Sequence, residues 1–218
     1  MSTAEVSTRR RGRPRATDSA ETRRTILDVA RRLFAERGYG GVTNKDLAAE
    51  AGLTSGALYH YVESKLDLYC AVYEDMQEKI YERFQKAEAS EQTFIGKLEA
   101  VLEEAHDLNH EDPSLARFAG IFRSVALRHP DVRKRLGPSN SVGDRFFLNM
   151  VECGIRTGEI AVEDQDLVRE FVMLILVGLT EGVSEDPPRH RRAVDSIIAV
   201  LHNRLVRPLP PDPSTRRL

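Results

Sequence analysis

The segment from Thr43 to Val62, TNKDLAAEAGLTSGALYHYV, limits what this chain can fold into more than any other stretch. Leu47, Ala48 and Ala51 fall on one apolar face at helical spacing. Ala48 is small where a second helix has to cross closely. Gly52 follows where the chain must turn through positive φ, which glycine does without steric cost. Thr54 stands in the N-cap position, and Leu58 returns to the core inside a short second helix. Ser55, Gly56, Tyr59 and His60 are left off the buried face. A small alanine, a turn glycine and a buried leucine at these offsets describe a helix-turn-helix, and they predict that the exposed set meets DNA.

Charge is distributed to match. The 218 residues carry a net charge of only −2, yet Arg9, Arg10, Arg11, Arg13 and Arg15 crowd the beginning, with Glu5 among them. From Glu63 to Asp112 the balance turns acidic. A basic end on an acidic body suits a protein that presents one face to a polyanion. An apolar content of 41% supports a sizeable core. The N-terminal charges lack the apolar run of a signal peptide, and the longest apolar run, Phe171 to Leu179, is short of the ~20 residues that a bilayer requires. Cys70 and Cys153 form no metal-ligand or redox pair by spacing. The expectation is a cytoplasmic, nucleoid-associated protein with no membrane partner.

Helical patterning runs through the rest, with no alternating strand stretch, so the fold class expected is all-α. Residues 1–17 read as a disordered basic arm. Asp18 and Glu21 then offer a capping-box start to a helix through Ile26, Ala30, Leu33 and Phe34, closed by Gly38. Ser64 and Asp67 open a long helix that extends towards Ala87. Further helices are expected over Thr93 to Leu108, Leu115 to Leu127, Val142 to Ile155, Asp164 to Val183 and Arg189 to Val206, the last two separated by Pro187-Pro188. The division that follows is an arm (1–17), a helix-turn-helix head (18–66), a larger helical body (67–206) and a loose tail (207–218).

The string from Ile26 through Ala71 resembles the N-terminal domain of the TetR/AcrR family of bacterial transcriptional regulators. The matching features are ILDVARRLFAERGY, a Gly and Thr43, KDLAAEAG, and ALYHYVESKLDL. The resemblance implies a homodimer whose two heads enter successive major grooves of a palindromic double-stranded operator. It also implies a body with a ligand cavity, in which a bound ligand moves the heads out of register. It places Thr43, Tyr59, Tyr61 and Lys65 on the DNA backbone. His60-Tyr61-Val62 departs slightly from the commonest family pattern, with Tyr61 expected to keep the phosphate-facing role.

Helix-turn-helix geometry brings the start of the second helix against base edges. Ser55 and Gly56 then lie nearest the bases, with His60 one turn on, and Thr54 at the cap is counted with them among the DNA-binding residues. Gly56 permits close approach without readout. Lys45, beside Asn44 at the start of the preceding helix, reaches a guanine edge or a phosphate. Thr43, Tyr59, Tyr61 and Lys65 suit phosphates, through hydroxyls and one ammonium; packing against neighbouring helices is the other role open to the two tyrosines. In the arm, Arg11-Gly12-Arg13-Pro14 is the core of an AT-hook. Its glycine lets a flat backbone lie in a narrow minor groove while Arg11 and Arg13 sit in the deep negative potential over A·T runs. A generic basic tail that acts through counterion release is the alternative.

In the body, Phe171, Leu174, Ile175 and Leu179 belong to a helix that is apolar nearly all round, and Ile197, Leu201 and Leu205 stripe the last one. Two such helices from each of two chains would build a four-helix dimer interface. Phe118, Phe122, Phe146, Phe147, Met150 and Met173, with His106 as a polar group, line an apolar pocket or serve as plain core. The absence of a basic cluster among them favours an uncharged or cationic apolar ligand. No cofactor and no metal site is expected, and none of the usual catalytic fingerprints is present, so the chain is not read as an enzyme. The function expected is a sequence-specific, ligand-responsive repressor, with an activating or architectural DNA-binding role of the same fold as the alternative.

Overall fold

The computed structural model describes residues 16–136, 142–182 and 184–205. The expected arm with Arg11 and Arg13, and the tail, lie outside these residues. Among the described residues there are ten α-helices, one turn of 3-10 helix at Val162–Asp164, and no strands.

The head is α1 (Ala16–Arg37), α2 (Asn44–Glu50) and α3 (Ser55–Leu58). Helix α1 starts two residues before the expected cap, so Asp18 lies inside it. It ends at Gly38, whose φ of 69° a side chain would resist. Thr43 caps α2 through a full capping box: its hydroxyl accepts from the Asp46 amide at 3.2 Å, and its own amide donates to Asp46 Oδ2 at 2.9 Å. Gly52 takes φ 67° in the turn, and Thr54 caps α3. Helix α3 is a single α-turn continued by tight i→i+3 bonds from His60 to Ala57 and from Tyr61 to Leu58.

The body consists of α4 (Lys65–Glu88), α5 (Phe94–Glu111), α6 (Pro113–Arg128), α7 (Pro130–Leu136), α8 (Val142–Thr157), α9 (Gln165–Gly182) and α10 (Pro187–Leu201). Asp112 ends α5 and caps α6, so one residue forms the whole joint. The two prolines read as a separator occupy the first turn of α10, behind the Asp186 cap. There the missing N–H has no intrahelical partner to lose.

The core is in two clusters, and they do not divide at 66/67, which falls in the first turn of α4. The first cluster joins Ile26, Phe34, Leu47, Leu58, Leu68 and Tyr69 to Phe118, Phe122 and Val125 of α6 and Val132 of α7. The second holds Phe84, Leu98, Leu102, Phe146, Phe147, Met150, Val172 and Val194. Helix α4 contributes to both. Head and upper body are therefore one packed unit, in which displacing α6 displaces the floor under α1.

A polar clamp reinforces that joint. Arg31 of α1, nearly fully buried, donates to Asp112 Oδ2 at 2.7 Å and to Ser114 Oγ at 2.8 Å. Burial alone would push the Asp112 carboxyl up, but bonds from Ser114 and Arg31 outweigh it and hold it below its ordinary value. The sequence reading missed this clamp, because an arginine inside an amphipathic helix carries no mark of a partner 81 residues away.

Candidate functional site

Capping and turn chemistry put the expected DNA-facing residues on one side of the head. Thr43, Lys45, Thr54, Ser55, Gly56 and His60 are exposed, and Leu47, Ala48 and Leu58 beneath them are sealed in the core. Tyr59 is 53% exposed, and its hydroxyl oxygen accepts from Asn44 Nδ2 at 2.7 Å. That bond holds the phenol over the start of α2 and leaves its proton to donate outward. Asn44 thus orients Tyr59. Tyr61 is half-buried against the first core, and its carbonyl accepts from Arg23 of α1 at 3.0 Å. Arg23 was not anticipated; it ties the end of the recognition segment back to the first helix.

Lys65, expected at a phosphate, is half-buried and is held from within the head. Its ammonium donates to the carbonyls of Tyr39 at 2.9 Å and Val42 at 3.0 Å, and lies 4.4 Å from the centre of the Tyr39 ring. The Gly-rich turn before α2 leaves those carbonyls without backbone donors, and a lysine at the start of α4 fills the gap. Lys65 is a staple of the turn that sets the height of α2.

The body carries a cavity of about 750 Å³ that opens to solvent, within the range that takes small-molecule ligands. Met76, Ile80 and Phe84 of α4, Leu108 of α5, Leu115 of α6 and Leu179 of α9 give it an apolar interior. Of the residues expected to line such a pocket, Phe147 and Met173 do so. Phe118 and Phe122 do not: both are buried in the head-to-body core, against Tyr69 at 5.3 and 5.1 Å between ring centres. Phe146 and Met150 are packed in the second core. His106 instead stacks on His190, with the two Nδ1 atoms 3.2 Å apart. Burial first, and His106 second, hold the His190 imidazole below its ordinary pKa, so it stays neutral.

A continuous aromatic series leads from this cavity to the head. Tyr73, in the cavity wall, lies flat on Phe122 with ring centres 3.8 Å apart and planes within 6°. Phe122 stacks on Tyr69, and Tyr69 meets Phe34 at 4.9 Å and Tyr39 at 4.8 Å. Tyr39 is the residue whose ring and carbonyl Lys65 holds.

The expected dimer residues divide. On α9, the expected Phe171 and Leu174 share one face with Leu167, which the sequence did not single out, and the three are 43%, 70% and 70% exposed. Leu205, beyond the end of α10, is also exposed. Leu179 faces inward instead, because it lies on the opposite side of α9 and fills the second core. Ile175, Ile197 and Leu201 are half-buried against that core. Both cysteines are buried and outside any disulfide, and burial pushes the Cys70 thiol up to about 11, which suppresses its thiolate. No helix among the described residues is long and apolar enough to cross a membrane.

Comparison with known proteins bears on the same residues. Residues 26–72, from the core of α1 into α4, match the family described as bacterial regulatory proteins, tetR family. The chain is 40% identical over 187 residues to the HTH-type transcriptional repressor BepR of Brucella suis, covering 74% of this chain and 79% of that one. It is 27% identical over 164 residues to the HTH-type transcriptional repressor KstR2 of Rhodococcus jostii, covering 72% and 77%. The fold is similar to that of the transcriptional regulator FadR of Bacillus subtilis in complex with stearoyl-CoA, with TM-score 0.67, 20% identity, and 83% and 98% of the two chains covered. An all-helical chain with an exposed helix-turn-helix surface on a cavity-bearing body, and with this extent of identity to such repressors, belongs to the TetR family of bacterial transcriptional regulators.

Proposed function

We propose that the protein is a homodimeric, ligand-responsive repressor that binds a palindromic operator in the cytoplasm. The observation that carries the reading is the aromatic series from Tyr73 to Tyr39. It gives a ligand in the body a packed route to the turn that positions α2. A ligand that displaces Tyr73 shifts Phe122 and Tyr69, and with them the head. The repressor names of BepR and KstR2 and the stearoyl-CoA in the FadR structure support the regulatory sign and the use of the cavity. Base contacts are assigned to Ser55, Gly56 and His60, with Lys45 at a base edge or phosphate. Phosphate contacts are assigned to Thr43, Thr54 and Tyr59, with Tyr61 supporting the end of the recognition segment. Dimerisation is assigned to Leu167, Phe171 and Leu174 of α9 with the neighbouring surface of α10. An apolar stripe with this exposure is a liability on a monomer.

The test is operator selection from a randomised duplex pool, with the winners retested on a Leu174→Glu variant. A palindrome with half-sites one or more helical turns apart is expected. The variant, monomeric by sedimentation, should lose most of its affinity. Enrichment of no sequence would refute the operator, and an undisturbed dimer in the variant would move the interface off α9.

A further inference from the structure

The cavity is specific about what it can hold. Its exposed charged lining residues are Glu74, Glu78, Asp144, Arg133 and Arg145, on α4, α7 and α8, where the cavity meets solvent. Half-buried Arg123 on α6 is committed to Glu181 at 3.1 Å and to Thr180. Among the described lining residues three acids therefore balance three arginines, which is no seat for a polyphosphate. Towards α5 and α10 the lining is buried, with Leu108 beside Asn109 and His190, and its ionisable side chain there, His190, is held neutral. A charge carried into that end would lose its hydration with no counter-ion among the described lining residues to replace it.

One polar group there remains unanswered. Asn109, 3% exposed, forms part of the cavity wall. Its Nδ2 donates to the Ser184 carbonyl at 2.9 Å, which fixes the orientation of the amide, and its Oδ1 is enclosed with no donor among the described residues. Leaving a buried acceptor unpaired is costly, and a partner that enters with the ligand removes the cost.

We infer that the effector is an uncharged, largely apolar molecule that carries a hydrogen-bond donor, held with its donor at Asn109 beside His190 and its apolar body between Phe84, Phe147 and Leu108. This rests on the reading of the cavity as the effector site, and it separates this chain from one that takes a fatty acyl thioester of coenzyme A. Such a thioester would bring several phosphates to a mouth with no surplus cation, and a donorless chain to an unpaired acceptor.

The test uses the full chain and a fluorescent probe pair that differs in the donor, trans-4-hydroxystilbene and its O-methyl ether, with stearoyl-CoA as the third titrant. The hydroxyl compound should bind about tenfold or more tighter than the ether. In Asn109→Leu, checked for an unchanged melting profile, the two should bind within about twofold of each other. The wild-type comparison decides the matter even where the variant fails to fold. Equal binding of the pair, binding of neither, or tighter binding of stearoyl-CoA overturns the inference. Release of the selected operator is read in parallel. Tight hydroxystilbene binding without release would uphold the ligand class and sink the ligand response; release by stearoyl-CoA alone would do the reverse.

Discussion

Gly56 offers a substitution whose effects on stability and on DNA binding have opposite signs. It is exposed, lies in α3, and is absent from the positive-φ positions, so alanine fits its backbone. A Cβ built there meets nothing within 4 Å. Gly56→Ala therefore removes no internal contact and restricts only the unfolded chain, a gain of about 0.5–1 kcal/mol at a helical position. For a chain of this size that raises Tm by roughly 1–4 °C. If Gly56 is where the backbone of α3 approaches a base edge, the same methyl group obstructs that approach. The loss then corresponds to one good base contact, about 1–3 kcal/mol, or roughly 5- to 150-fold in operator affinity. Differential scanning fluorimetry and a fluorescence-anisotropy titration on the selected operator read the two effects on one preparation. A variant that is more stable and binds as well as the parent would remove Gly56 from the interface. A fall in Tm would mean that the space around α3 is not open.

Other consequences follow from the same contacts. Lys65→Met should cost about 2 kcal/mol, the worth of charge-assisted bonds to two carbonyls, and lower Tm by several degrees; an unchanged Tm would return Lys65 to the DNA surface. Asp112→Asn removes a depressed carboxylate, whose stabilisation is present above its unfolded value near 4 and lost as pH falls through the lower folded value. The parent should therefore exceed the variant in Tm at pH 7, and the gap should close below about pH 4; a gap independent of pH would assign the loss to capping alone. Deletion of residues 1–15 should reduce the slope of log affinity against log salt by about two units if Arg11 and Arg13 each meet a phosphate, and leave it unchanged if the arm stays off the DNA.

Local signals carried the reading of the head. Caps, turn glycines and a 3.6-residue apolar period act over a few residues, so Gly52, Thr54 and Ser64 could be assigned roles from their neighbours alone. The helical class and most helix positions were legible for the same reason. The same locality misled at Pro187-Pro188, read as a break where a helix starts, because proline marks both. What the sequence left open was every choice among equally apolar residues. Phe118, Phe122, Phe146 and Phe147 look alike as a pattern, yet only Phe147 lines the cavity, since long-range packing decides which ring fills a core and which borders a void. Leu174 and Leu179 share one helix and one chemistry, and the rotation of α9 against its neighbours turns one outward and the other in. The Arg31 clamp, the Lys65 staple and the unpaired Asn109 oxygen each depend on a group from a distant element. The sequence by itself therefore determined the fold class and the DNA-facing head, through interactions between near neighbours. The tertiary structure alone decided the cavity, its polar end and its route to the head, because those are properties of where helices meet.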